Sequence, residues 1–198
     1  KFYNNIITRL NNTSDMGERY GIVTYTNRAA NMFQPKDTSH YIKGTLVSNN
    51  TIYIENDNIV NKGNQAAIGL FNVIGGRVYN NAIAISDLGV NSSNSLFDAA
   101  VVYYGIYPSD AGLRSDHNAF WIADKTHWSV YRFHQTGGTT RTTIYWYPGY
   151  HNEFRDLEQW QMWTGEDMNS IEGIDFRNDY YTTVNLPRYM RIKNNKIR

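Results

Sequence analysis

The chain has 198 residues, enough for one domain with a sizeable core, and its net charge of +1 gives no basic field for nucleic acid. It is 41% hydrophobic and 19% charged, and no apolar run approaches the ~18 residues of a membrane span, so membrane insertion is not expected. Zero cysteine excludes a disulfide framework, a thiolate metal site and a cysteine nucleophile.

Asn, Gly, Thr and Tyr dominate the polar and aromatic composition, which suits pleated strands and turns better than helices. The chain opens at Lys1 with no initiator Met and no charged-then-apolar leader, and it closes on a strand that is only beginning; we read it as a fragment of a longer polypeptide. Phe2-Tyr3-Asn4-Asn5-Ile6-Ile7 is the first of several short alternating segments built around an Asn pair. A second kind of strand follows it, Tyr20-Gly21-Ile22-Val23-Thr24-Tyr25-Thr26-Asn27. The pair returns as Val47-Ser48-Asn49-Asn50-Thr51-Ile52-Tyr53-Ile54, followed by Ala66-Ala67-Ile68-Gly69-Leu70-Phe71-Asn72-Val73. It returns again as Val78-Tyr79-Asn80-Asn81-Ala82-Ile83-Ala84-Ile85, followed by Ala99-Ala100-Val101-Val102-Tyr103-Tyr104-Gly105-Ile106. Arg114-Ser115-Asp116-His117-Asn118-Ala119-Phe120-Trp121-Ile122 is a weaker copy, with Trp128-Ser129-Val130-Tyr131-Arg132-Phe133 after it. Ile192-Lys193-Asn194-Asn195-Lys196-Ile197 is the last.

Strand repeats without intervening helices predict a stacked, quasi-one-dimensional fold. The expected fold is all-β: a right-handed parallel β-helix (solenoid) forming a single domain over 1–198. Period-2 alternation turns Ile52, Ile54, Ile83 and Ile85 inward. An Asn at a turn tolerates left-handed backbone and bonds neighbouring backbone groups. Stacked copies would then align Asn5, Asn50, Asn81 and Asn118 as an amide ladder.

One segment breaks the rhythm. Asp156-Leu157-Glu158-Gln159-Trp160-Gln161-Met162-Trp163-Thr164-Gly165 predicts a short helix. Asp156 is the expected N-cap, with Gln159 completing a capping box and Gly165 at the C-terminal turn. Leu157, Trp160 and Trp163 recur at helical spacing. The helix belongs to an expected insertion at about 134–170.

Ser115-Asp116-His117-Asn118-Ala119-Phe120-Trp121, then Leu157-Glu158-Gln159-Trp160, Thr164-Gly165-Glu166-Asp167 and Asn169-Ser170-Ile171, resembles a signature of right-handed parallel β-helix repeat proteins of the pectin-lyase-like superfamily. These are large secreted or surface proteins of bacteria. The resemblance covers the second half of the chain directly and implies architecture, not activity: the family mixes adhesins, uncharacterised surface proteins and polysaccharide-degrading enzymes.

No complete chemical constellation is legible. The hydrolases of this fold carry several acidic and Gly-His-Gly motifs beside an Arg-Ile-Lys; only Arg191-Ile192-Lys193 is present, and it reads as the entry to the last Asn pair. Glu55-Asn56-Asp57-Asn58 is oxygen-rich, as calcium ligands are, but lacks calcium-loop spacing and reads as a solvated turn. Glu166-Asp167 reads as a structural turn. Asp116 is expected to cap a turn and His117 to fill an aromatic slot. His127, His134 and His151 have no metal-ligand spacing, so no metal and no cofactor is expected beyond that calcium option. The aromatic stretch from Phe120 to Trp163 is the candidate sugar-binding surface, with Trp128, Tyr145, Trp146, Tyr147, Tyr150 and His151 as the platform.

The expected function is a non-enzymatic extracellular scaffold or adhesion module of a bacterial surface or secreted protein. Its expected partners are polysaccharide or glycan and further coils or domains of the same polypeptide. The alternatives are a polysaccharide lyase or glycoside hydrolase with incomplete catalytic coils, and a phage tailspike-like segment.

Overall fold

The computed structural model describes residues 1–7, 19–24, 41–54, 65–86, 99–105, 111–125, 128–135, 151–174, 192–193 and 196–197. The Asn pairs at 4–5, 49–50 and 80–81 are each the turn between two short strands, not the start of one. β1 (Phe2–Tyr3) turns through Asn4-Asn5 into β2 (Ile6–Ile7), and β3 (Arg19–Thr24) follows. After β4 (Ile42–Lys43), the unit repeats as β5 (Leu46–Ser48), β6 (Thr51–Ile54) and β7 (Gln65–Phe71). After β8 (Val73–Ile74) it repeats as β9 (Arg77–Tyr79), β10 (Ala82–Ile85) and β11 (Ala99–Gly105), then as β12 (Arg114–Asp116), β13 (Ala119–Ile122) and β14 (Ser129–Gln135). The chain ends its described part with β15 (His151–Phe154), α1 (Leu157–Thr164), β16 (Ile171–Glu172), β17 (Ile192–Lys193) and β18 (Lys196–Ile197).

These strands sort into separate sheets packed side by side, the three largest parallel except where β15 joins. The first is β1-β5-β9-β12, the second β16-β13-β10-β6-β2 and the third β15-β14-β11-β7-β3; β4 and β8 make a further parallel pair. Ile52, Ile54, Ile83 and Ile85 point into the core that the sheets share and are each 0% exposed. Burying each such side chain contributes about 1.5–3 kcal/mol. The alternating partners face outward, so register follows from the pattern: Ile7, Ile52, Ile83 and Phe120 stack in one inward column.

The expectation of one right-handed parallel β-helix over 1–198 is corrected here. Among the described residues the strands form discrete sheets of four and five strands with one short helix, and they do not make a single solenoid. The reasons are local. β15 pairs antiparallel to β14, with Tyr131 opposite Phe154, and so occupies the edge a further parallel strand would need. The last Asn-Asn segment supplies β17 and β18, which pair antiparallel with each other and join none of the three sheets.

The helix of the expected insertion at 134–170 forms over Leu157–Thr164 and is part of the core: Trp160 is 0% and Leu157 4% exposed. Gly165 closes it at φ 72, with its N–H on the Gln161 carbonyl. Asp156 sits at the N-cap position without making the cap bond. Glu172 Oε2 accepts the Leu157 N–H at 2.9 Å instead, and Gln159 Oε1 accepts from the Arg155 N–H at 3.0 Å. Asp156 is drawn away by Lys125, whose ammonium lies 2.6 Å from Asp156 Oδ1 and also pairs with Glu172. Among the described residues no helix is long and apolar enough to cross a membrane.

Candidate functional site

The most ordered polar feature is the column of turn asparagines. The first Asn of each pair carries the left-handed backbone: Asn4, Asn49 and Asn80 have φ 58, 56 and 56. In the weaker copy His117 takes that position with φ 59 and so holds the left-handed turn. Its Nδ1 lies 3.0 Å from Asp116 Oδ2.

The second Asn of each pair faces inward and makes the ladder. Asn5 donates its backbone N–H and its Nδ2 to Asn50 Oδ1 at 3.1 and 2.9 Å. Asn50 donates the same two groups to Asn81 Oδ1 at 3.1 and 2.9 Å, and Asn81 to Asn118 Oδ1 at 3.0 and 3.0 Å. The other Nδ2 hydrogen goes back one layer, from Asn50 to the Phe2 carbonyl, from Asn81 to Val47 and from Asn118 to Val78. The Asn50 and Asn81 amides thus give two hydrogen bonds and accept two, the full capacity of the group. Asn50, Asn81 and Asn118 are 0% exposed, so this satisfaction is required. The amides also point the same way, and each bond polarises the next.

The row ends on Asp167. Asn118 donates Nδ2 to Asp167 Oδ1 at 2.9 Å, while its backbone N–H goes to Ser170 Oγ at 2.7 Å. Asp167 and Ser170 therefore divide between them the work one more Asn would do. Ser170 Oγ–H reaches Asp167 Oδ1 at 2.6 Å, and the other carboxylate oxygen accepts Tyr131 O–H at 2.8 Å and Trp160 Nε1–H at 3.0 Å. Asp167 is 1% exposed and sits in left-handed backbone at φ 59. Burial pushes its carboxyl above the usual carboxylate range, and the Ser170 and Asn118 donors pull against that. Burial, with the Asp167 charge beside it, holds the Tyr131 phenol well above its ordinary value, so it stays a donor.

The indole of Trp160 stacks on Tyr131 at 4.1 Å and 4°, and Phe154 meets Trp160 edge-on at 5.3 Å. Glu166 closes the edge of the first sheet: Oε2 accepts the Ser115 N–H at 2.8 Å and Oε1 pairs with Arg114 at 2.7 Å. The Asp167 N–H then takes the Ser115 carbonyl at 2.7 Å. These two bonds replace the strand that would otherwise follow β12.

Asp116 holds the same turn from outside, accepting Asn169 N–H and Nδ2 at 2.8 and 2.8 Å. Burial pushes its carboxyl up, but the Asn169 bonds and His117 outweigh it and hold it below the usual range. Its contribution to stability is therefore full above the unfolded value of ~3.9 and is lost as pH falls through the depressed folded value. Asp116→Asn is expected to lack that component. In denaturant titrations the gap between wild type and variant stays flat near neutral pH and shrinks below about pH 4.

The expected sugar platform is not assembled among the described residues. Trp128 is 0% exposed and faces the core, so its place on a glycan surface is corrected. Tyr145, Trp146, Tyr147 and Tyr150 lie outside the described residues, as do Glu55 and Asp57 of the calcium option, and of His151 only the backbone in β15 is described. Among the described residues no group of three or more His, Asp or Glu side chains comes together in a way that could hold a metal. The residues that sequence reasoning did not connect are Asp167, Ser170, Tyr131 and Trp160. They fall outside the Asn-pair spacing, and the only trace of their joint role is the Thr164-to-Ile171 motif. No family model, no curated protein and no solved structure matches the chain.

Proposed function

We propose that the chain is a non-enzymatic scaffold module of a secreted or surface protein of bacteria, with carbohydrate as its ligand class. The observation that carries the scaffold reading is the fate of the polar side chains. Asn50, Asn81, Asn118 and Asp167 are buried and spend their hydrogen bonds on neighbouring layers and on each other. Glu166 and Asp116 are spent on backbone N–H groups in the same way. Groups held like this stiffen a stack and are poorly placed for acid–base work on a substrate. The likeness of residues 115–121 and 157–171 to bacterial surface proteins supports the compartment.

The carbohydrate reading rests on the outer face of the second sheet. Tyr53 and Trp121, both partly exposed, stand at the same register position with Ala84 of β10 between them. That places the two rings two strand spacings apart, ~9–10 Å, over a floor of Ala82, Ala84 and Ala119. Flat rings over small residues suit CH–π stacking of pyranose faces. Tyr53 O–H and Ser86 Oγ, 3.0 Å apart, supply a polar rim.

A glycan array, paired with an acidic-polysaccharide panel read for unsaturated products with and without calcium, tests both parts. Glycan retention without turnover is the expected result, whereas turnover would replace the scaffold reading with a lyase. Trp121→Ala is expected to weaken retention about two- to tenfold, from a lost stacking energy of ~0.5–1.5 kcal/mol. Affinity electrophoresis in the retained glycan measures it, and an unchanged mobility shift would remove this face from the reading.

A further inference from the structure

The two ends of the stacked sheets are unlike. At the Asp167 end Ser115, Phe120 and Tyr131 are each 1% exposed. At the other end Phe2 and Ile7 share inward columns with Val47 and Ile52, which are 0% exposed, yet both are only partly buried. β1, β2 and β3 are the terminal strands of their three sheets at this same end. Tyr3, Ile6 and Val23, one on each of those strands, are 57%, 52% and 40% exposed. Asn5 donates to Asn50, but its own Oδ1 receives no hydrogen bond from the described residues.

We propose that this end is a docking edge for one further parallel strand–turn–strand segment whose turn carries an asparagine, supplied by polypeptide outside residues 1–198. The ladder specifies the segment. In every observed step an Asn gives its N–H and Nδ2 to the Oδ1 of the Asn one layer on, and its carbonyl accepts the N–H that follows that Asn: Thr51 to Asn5, Ala82 to Asn50, Ala119 to Asn81. Each Nδ2 also returns to the carbonyl three residues before the Asn of the layer behind. Applied to the open end, the incoming Asn gives two hydrogen bonds to Asn5 Oδ1. Its carbonyl accepts from Ile6 N–H, and the carbonyl three residues before it accepts from Asn5 Nδ2. Apolar residues flanking the turn complete the columns headed by Phe2 and Ile7.

Polarity decides against a second copy of these residues. Two such ends face to face cannot repeat the ladder step, because the Asn5 N–H of each is already given to Asn50 Oδ1 and is not free for the other's Asn5 Oδ1. The opposite end has its donors used, because the Asn118 amide is given to Asp167 and α1 covers the core.

A peptide with the sequence of residues 46–54, Leu-Val-Ser-Asn-Asn-Thr-Ile-Tyr-Ile, is a direct probe of the whole chain. Saturating peptide is expected to slow amide exchange at Ile6 by at least about tenfold while leaving exchange around Asp167 unchanged. A peptide with Asp in place of its second Asn puts an acceptor against Asn5 Oδ1 and is expected to bind at least about tenfold more weakly. Ile6→Pro deletes the N–H that the peptide carbonyl needs and is expected to weaken binding similarly, with exchange around Asp167 again unchanged. The proposal is overturned by equal binding of the Asp peptide, by no peptide-dependent protection at Ile6, or by concentration-dependent protection of Ile6 without peptide. The last outcome would give the edge to a second copy.

Discussion

Asp167→Asn is expected to lower the unfolding free energy by about 2–4 kcal/mol, although the two side chains have nearly the same shape. The carboxylate accepts from four donors, two on each oxygen: Asn118 and Ser170 on one, Tyr131 and Trp160 on the other. An amide keeps one acceptor and turns the other into a donor. If the oxygen stays with Asn118 and Ser170, the new NH₂ faces Trp160 Nε1–H and Tyr131 O–H. Tyr131 can rotate its hydroxyl hydrogen toward Ser115 Oγ, 2.8 Å away, but the indole N–H has no such choice and is orphaned in a fully buried site. Hydrogen bonds to a charged acceptor are worth about 1.5–3 kcal/mol each, so losing the indole bond and weakening the tyrosine one gives the stated range. For a chain of this size ~1 kcal/mol moves the melting temperature by ~2–4 °C, so a drop of about 5–15 °C is expected by calorimetry. A variant melting within a degree or two of wild type would mean that burial of Asp167 matters and its bonding does not.

Asn81→Ala tests the ladder at its middle, with an expected loss of about 3–5 kcal/mol in a denaturant titration. The change orphans the Asn50 N–H and one of its two Nδ2 hydrogens, takes the Nδ2 donor from the Val47 carbonyl and leaves Asn118 Oδ1 with the Asn81 backbone N–H alone, all in the interior. Asn5→Ala is the matched control. It removes the same side chain at the exposed end, where water can replace what is lost, and is expected to cost under about 1 kcal/mol. The contrast between the two carries the argument, because composition and helix or strand propensity change identically in both. Equal effects at Asn5 and Asn81 would show that the amide row contributes nothing beyond its turns.

Much of this organisation could be read from local pattern. Alternation along 51–54 and 82–85 decides which side chains turn inward, since a strand has only two faces and Ile occupies one of them. The Asn pairs mark the turns because few residues other than Asn and Gly tolerate left-handed backbone without strain. The helix over 157–164 announced itself by Leu157 and Trp160 on one face and Gly165 at its end. Aromatic residues were visible as a group, but not their division of labour: Trp128 and Trp160 are core, while Trp163 is 41% exposed.

What only the tertiary structure decided is how the repetition stops. Nothing in the spacing of Asn5, Asn50, Asn81 and Asn118 says that the next acceptor is a carboxylate 49 residues further on, or that Ser170 shares its work. Hydrogen-bond demand at a stack end is set by whichever groups the folded chain brings there, and those come from α1, β14 and the turn before β16. The same holds for β15, whose antiparallel pairing closes the third sheet, and for β17 and β18, which among the described residues pair only with each other. By itself the sequence determined the turns, the inward columns and the amide row, because each is encoded within a few residues. The discrete sheets and the end closed at Asp167 depend on contacts between residues far apart in the chain, which only packing selects.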